Sequence, residues 1–163
     1  MYVLGIHKDP WHNTGAALIR SIKGKTDFVF ISEERLDRVK DSRSYPIHAI
    51  KACLKEFGLK QIDQVDLVML DYISNMDWRK DYFKKQCIIP PDLTSLSPEK
   101  IHVINHHLAH ACATFYSSGF EKAAVLVIDG RGTDQETQSL FIADDSGINL
   151  VSSTNKIGIG LLY

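Results

Sequence analysis

The chain is organised around residues 104–111, INHHLAHA, and around the apolar run AAVLVI at residues 123–128, which Asp129 follows. The first run is typical of a helix, on which His106 and His110 project from one face about one turn apart and can hold a single ion. The second run predicts a buried strand that ends in front of a carboxylate. Two imidazoles and one carboxylate suit a divalent first-row metal, so His106, His110 and Asp129 form a candidate metal site.

The composition excludes several functional classes. With 163 residues and a net charge of -1, the chain is long enough for a proper core but lacks the basic surface that binds nucleic acid or an anionic membrane. No apolar run approaches the ~20 residues of a membrane helix, and the N-terminus lacks the pattern of a signal peptide. Three widely spaced cysteines without a CxxC pair fit a reduced compartment. We therefore expect a cytoplasmic protein without nucleic-acid or membrane partners.

Strands and turns follow the same order near both ends of the chain. Residues 2–31 predict three strands, the first two joined by a polar loop that contains His12. Residues 123–152 predict three more strands, with Asp129 in the matching loop. Each group predicts an antiparallel meander, which favours a duplicated architecture.

The residues between the two meanders predict helices, loops and two further short strands, at residues 65–70 and 101–104. The charged segment 32–44 is typical of a solvated loop or short helix, and Pro46 opens a helix that Gly58 ends. Asn105 is a good N-cap for the helix that carries the histidines. Residues 77–86 predict a surface helix, to which we assign no chemistry.

The order of these motifs resembles the N-terminal part of the O-carbamoyltransferases that modify nodulation factors and antibiotics. That family is similar to the catalytic subunit that makes threonylcarbamoyladenosine in transfer RNA. The segments that carry the likeness span nearly the whole chain and are 12–18, 33–40, 106–111, 129–130 and 160–163. The resemblance implies an α/β fold of the actin-like ATPase (ribonuclease H-like) type. One complete half is expected at residues 1–120 and the opening strands of a second, truncated half at residues 121–163.

The resemblance also implies roles for individual residues. The family binds a metal, usually iron, through the positions of His106, His110 and Asp129 together with a later aspartate; zinc, manganese and magnesium are the alternatives. His12 matches the proposed general base that deprotonates the acceptor hydroxyl. The family has an aspartate directly after this base, whereas this chain has Asn13, which cannot take up a proton.

The reaction implied by the resemblance is carbamoyl transfer to a hydroxyl group. Family enzymes make carbamoyl adenylate from carbamoyl phosphate and ATP in a separate domain, then pass the carbamoyl group to a sugar-containing acceptor. Glycines after the metal ligand let backbone approach phosphates closely. Nucleotide or substrate contacts are predicted for Arg38, Lys40, His107, Gly130, Arg131 and Gly132. For His107 the alternative is support of the metal ligands from behind.

Other interpretations remain open on the sequence alone. An HxxxH pair also occurs in ordinary helix packing, and Asp-Gly is a common turn dipeptide. An actin-like kinase or ATPase is one alternative, although such enzymes usually hold magnesium through carboxylates and phosphates. A non-catalytic metal- or nucleotide-binding module is another. Because the fourth ligand and the adenylate-forming domain have no candidates here, we expect the chain alone to be inactive without the missing C-terminal part of the same protein. Exposed edges would also favour self-association.

Overall fold

The computed structural model describes residues 1–8, 13–71, 96–156 and 158–162. Their contacts divide the chain into two units, the first reaching Val103 and the second beginning at Ile104. The histidine helix is therefore grouped with the second unit, while the domain boundary between residues 120 and 121 stays a prediction. The predicted surface helix at 77–86 and the predicted base His12 lie outside the described residues.

A five-stranded mixed sheet forms the first unit. Its strands are β1 (Tyr2–His7), β2 (Gly15–Ile22), β3 (Lys25–Ser32), β4 (Leu67–Asp71) and β5 (Ile101–Ile104), in the order β3-β2-β1-β4-β5. Strands β1 to β3 form the predicted antiparallel meander, and β1 pairs in parallel with β4. Parallel pairing places His7 opposite Asp71 at the carboxyl ends of the two strands.

Two helices follow β3 in the first unit. Helix α1 (Glu34–Asp37) occupies part of the charged segment, and α2 (Ile47–Glu56) begins after Pro46 as the sequence predicts. The buried side of α2 has helical spacing and consists of Ala49, Ile50, Cys53 and Leu54. These side chains share one core with the inward residues of β1, β2 and β4. Gly58 adopts a φ of 71° just beyond the helix, the left-handed conformation that favours glycine at a helix end. Short 3-10 helices at Ile62–Gln64 and Pro98–Lys100 precede β4 and β5.

One helix and a three-stranded sheet form the second unit. Helix α3 (His106–Ser118) is followed by β6 (Ala123–Ile128), β7 (Gln138–Asp144) and β8 (Gly147–Thr154), and a 3-10 helix covers Ile159–Leu162. The three strands pair antiparallel in chain order, so the second predicted meander is confirmed. The core between helix and sheet contains Ala111, Phe115, Val125, Val127, Phe141 and Ala143. Over the described ranges, no helix has the length and apolarity needed to span a membrane.

Candidate metal centre

The first two turns of α3 hold two histidines on one face. Asn105 has an extended backbone, and its Oδ1 accepts a hydrogen bond of 3.0 Å from the N–H of Leu108, so the helix begins with a side-chain cap. His110 follows His106 by one turn on the same face. The Nε2 atoms of the two rings lie 3.0 Å apart. The HxxxH pair therefore converges on one point.

Asp129 reaches the same point from the end of β6. Its Oδ2 lies 2.8 Å from Nε2 of His106 and 3.6 Å from Nε2 of His110. Its Oδ1 accepts a hydrogen bond of 2.6 Å from the N–H of Gly130. The side chain of His106 is 8% exposed and that of His110 is 51% exposed, so the cluster is open to solvent on the His110 side.

A shared cation suits the three distances better than hydrogen bonds do. A neutral imidazole has one N–H, so Nε2 of His106 can serve Asp129 and His110 together only through one divided hydrogen bond. If this nitrogen carries no proton, its lone pair faces the Asp129 carboxylate at 2.8 Å. A cation between the three atoms accepts a lone pair from each of them.

The spacing also fits a first-row metal. Three atoms separated by 2.8, 3.0 and 3.6 Å lie on a circle of about 1.9 Å radius, which is shorter than a metal–imidazole bond of roughly 2.0–2.1 Å. A point at bonding distance from all three atoms therefore exists just outside their plane. Imidazole nitrogen with carboxylate oxygen is a donor set that iron, zinc and manganese accept.

The charge state of Asp129 also suits a cation. The neighbouring imidazoles, first His106 and then His110, hold the pKa of Asp129 well below its usual range, and burial opposes this shift only in part. The carboxylate therefore stays ionised, and the ionised form is the one that ligates metals.

The loop at residues 129–137 ties the helix to the strand that delivers Asp129. The backbone N–H of His106 donates to Oγ1 of Thr133 at 2.9 Å, and Nδ2 of Asn105 donates to Oε1 of Glu136 at 2.8 Å. Neither contact was predicted from the sequence. Because partners behind the ligands hold a metal site in shape, these contacts fix the histidines relative to the carboxylate.

His107 points away from the cluster into the core of the second unit. Its side chain is fully buried, and its Nδ1 lies 2.8 Å from Oγ of Ser139. Burial lowers the pKa of His107 below its ordinary value, which favours the neutral ring. Both predicted roles of His107, contact with a substrate and support of the ligands from behind, stay predictions.

The other predicted contact residues of this unit form the turn after Asp129. Gly130 is half-buried, Arg131 is exposed and Gly132 is buried. The Arg131 guanidinium is thus accessible to an anionic ligand beside the cluster. Contacts of the three residues with phosphate stay predictions.

Gly160 makes a close contact with the same turn. A Cβ atom at Gly160 would lie 2.6 Å from the amide nitrogen of Gly130 and closer still to the carbonyl group of Asp129. Only a residue without a side chain allows this approach. The chain thus packs its C-terminal 3-10 helix directly on the peptide that follows the candidate ligand.

Arg38 and Lys40 belong to the first unit, in the segment after α1. Both side chains are exposed. The segment is tethered by Thr14, whose N–H donates to the carbonyl oxygen of Ser42 at 2.9 Å and whose Oγ1 donates to that of Ser44 at 2.6 Å. A tethered loop with two exposed cations suits an anionic substrate, although substrate binding by these residues stays a prediction.

Two carboxylate contacts in the first unit were missed at the sequence level. Glu33, which is 1% exposed, accepts hydrogen bonds from the backbone N–H groups of His48 and Ala49 at 3.2 and 2.8 Å and thereby caps α2. Nδ1 of His7 lies 3.0 Å from Oδ2 of Asp71. The second pair had a signal, because His7 directly follows one predicted strand and Asp71 stands at the end of another. The first had none, since the fold alone brings Glu33 to α2.

Comparison with known proteins agrees with the motif pattern. The family model described as "Carbamoyltransferase N-terminus" matches residues 68–163. This chain belongs to the carbamoyltransferase family. The chain is 30% identical over 172 residues to "Nodulation protein NolNO" of Sinorhizobium fredii, and the alignment covers 93% of this chain and 24% of that protein. It is 28% identical over 170 residues to "Uncharacterized protein sll1178" of a Synechocystis strain, which covers 86% of this chain and 27% of that protein. The chain thus spans about a quarter of the length of these curated relatives.

Solved structures confirm the fold class of this chain. YeaZ from Pseudomonas aeruginosa superposes with a TM-score of 0.50 at 14% identity, covering 94% of this chain and 65% of that one. An uncharacterized protein described as similar to peptidase YeaZ gives a TM-score of 0.50 at 15% identity, covering 93% and 64%. The mixed α/β architecture is therefore of the actin-like type. At these identities the likeness concerns the fold alone.

Proposed function

We propose that the chain supplies the metal-binding turn of an O-carbamoyltransferase. The transferred group comes from carbamoyl adenylate, made from carbamoyl phosphate and ATP, and goes to a hydroxyl of a sugar-containing acceptor. The acceptor oxygen forms a bond to the carbamoyl carbon, and the bond from that carbon to the phosphate oxygen breaks. AMP leaves with the electron pair, and the hydroxyl proton passes to a base, for which His12 is the candidate. Family membership supports the reaction class.

The observation that carries the proposal is the convergence of His106, His110 and Asp129 on one point. A divalent metal held there, with iron first and zinc, manganese or magnesium as alternatives, would neutralise negative charge on the nucleotide phosphate. His106 and His110 would hold the metal from the first two turns of α3. Asp129 supplies the negative charge that balances the cation.

Two groups of residues, one in each unit, bind the nucleotide and the substrate in this proposal. Gly130 and Gly132 keep the turn narrow enough for backbone to approach a phosphate, and the exposed Arg131 offers a cation beside it. Arg38 and Lys40 of the first unit bind the anionic carbamoyl donor. Thr14 holds the end of their segment through the carbonyl oxygens of Ser42 and Ser44.

The activity requires more of the protein than these residues. The metal set has three ligands in the chain, and an aspartate from the remainder of the same protein would be the fourth. Because the chain spans about a quarter of its curated relatives, we propose that it does not transfer carbamoyl groups by itself. A cytoplasmic location remains a prediction.

Metal analysis tests the proposal directly. We expect the purified chain to retain close to one equivalent of a first-row metal and His110→Ala to retain little, because removal of one of three ligands opens the site. His102→Ala is the matched control, since His102 is an exposed histidine in β5 outside the cluster. Equal metal content in wild type and His110→Ala would reject the metal function and favour the kinase-like or non-catalytic alternatives.

A further inference from the structure

One nitrogen in the second unit is buried without a hydrogen-bond partner. Nε2 of His107 has none within the described part of the chain, whereas Nδ1 of the same ring lies 2.8 Å from Oγ of Ser139. An unsatisfied buried polar atom costs on the order of 1–3 kcal/mol. The second nitrogen therefore points to a partner that it acquires in another state.

The nearest turn and a buried carboxylate identify that partner. A Cβ atom at Gly132 would lie 2.8 Å from Cδ2 of His107 and 2.5 Å from Oε1 of Glu136, so Gly132 rests against both groups. Cδ2 is bonded to the unpaired Nε2. Glu136 is 6% exposed, and the hydrogen bonds recorded for its carboxylate come from neutral donors, Nδ2 of Asn105 and the N–H of Asp134. Its carboxylate can therefore accept a further hydrogen bond.

The candidate metal centre is mechanically connected to this turn. Oδ2 of Asp129 faces the two imidazoles, while its Oδ1 accepts the N–H of Gly130 at 2.6 Å. A carboxylate drawn towards a cation therefore pulls on Gly130, two residues from Gly132. Displacement of Gly132 changes the separation that it imposes between His107 and Glu136.

We propose that His107 is a positioning residue whose Nε2 donates to the Glu136 carboxylate when a divalent cation binds His106, His110 and Asp129. The new hydrogen bond holds the turn at Gly132 in its cation-bound position. His107 thus contributes to cation affinity from the core, without contact with the cation or the substrate. This inference rests on the metal function proposed above.

A double-mutant cycle on the full 163-residue chain tests the pairing. Zn²⁺ affinity is measured by titration calorimetry for wild type, His107→Asn, Glu136→Gln and the double variant. Asparagine keeps a polar group for Ser139 and removes Nε2. We expect each single substitution to weaken Zn²⁺ binding about 10-fold or more, as loss of a partner behind the ligands does. The double variant is expected to bind Zn²⁺ no more weakly than the weaker-binding single variant, because both substitutions remove the same interaction.

The outcomes separate this inference from the metal function. Unchanged affinity in the single variants, or losses that multiply in the double variant, would overturn the His107–Glu136 pairing alone. Wild-type Zn²⁺ binding no tighter than that of His110→Ala would overturn the metal function and the pairing together. The ¹⁵N chemical shift of His107 Nε2 gives a second test that needs no variant at position 107. It is expected to change on addition of Zn²⁺, and an unchanged shift would contradict the proposal even if His107→Asn failed to fold.

Discussion

Replacement of Gly160 by alanine should weaken metal binding by displacing Asp129. The new Cβ atom would lie 2.6 Å from the amide nitrogen of Gly130 and closer to the carbonyl group of Asp129, whereas ordinary contact begins at 3.4 Å, so the two segments must separate by more than about 0.8 Å. Asp129 moves with this peptide, because its Oδ1 is bonded to the Gly130 N–H. Metal sites require ligands held within roughly 0.5 Å of their positions. We therefore expect the Zn²⁺ affinity of Gly160→Ala to fall about 10- to 100-fold.

Titration calorimetry with Zn²⁺ measures this effect, and Gly5→Ala is the matched control. A Cβ atom at Gly5 would meet only the carbonyl oxygen of Ala17, at an ordinary 3.8 Å. Urea denaturation without metal should show that both variants remain folded. If Gly160→Ala binds Zn²⁺ as tightly as wild type, the 3-10 helix moves to make room for the new Cβ atom and the Asp129 peptide stays in place. The argument that Gly160 positions the ligand would then be wrong.

Three further predictions concern stability, reactivity and association. Glu33→Ala should lower the free energy of unfolding by about 2–4 kcal/mol in urea denaturation, because two backbone donors at the start of α2 lose their acceptor. Burial raises the pKa of the Cys53 thiol from 9.0 to about 11. Alkylation of Cys53 by iodoacetamide at pH 9 should therefore be slower in the folded protein than in urea. The stability that the thiol contributes below pH 9 should be lost as the pH rises towards 11. Leu126→Lys should reduce self-association measured by light scattering, because this apolar side chain is 61% exposed on β6. Equal association of the variant and wild type would exclude that face as the contact surface.

The sequence predicted the elements whose signals are local. The N-cap Asn105 and the HxxxH spacing predicted the start of α3 and the shared face of its histidines, because helical geometry depends on near neighbours. Pro46 and Gly58 marked the limits of α2 for the same reason. The prediction that Asp129 approaches the histidines rested on the predicted strand that ends directly before it.

Contacts made by distant parts of the chain could not be predicted in this way. Gly160 belongs to a motif that the sequence marked, but its contact with the Asp129 peptide depends on the path of the chain after β8. Glu33 was part of a charged segment, for which a solvated surface was expected, and the fold buries it against α2. His107 did have a local signal that was not used. It precedes Ala111 by four residues and Phe115 by eight, so helical spacing places it on the same face as these two apolar residues.

The proposed metal ligands and the predicted donor-binding residues belong to different units. His106, His110 and Asp129 all lie in the second unit, where Asn105 and His106 bond to Glu136 and Thr133. The predicted donor-binding residues Arg38 and Lys40 belong to the first unit. Metal content should therefore survive substitutions at Arg38 and Lys40, whereas carbamoyl transfer by the whole protein should not. A chain that binds metal but transfers nothing is thus the result that the proposed function requires.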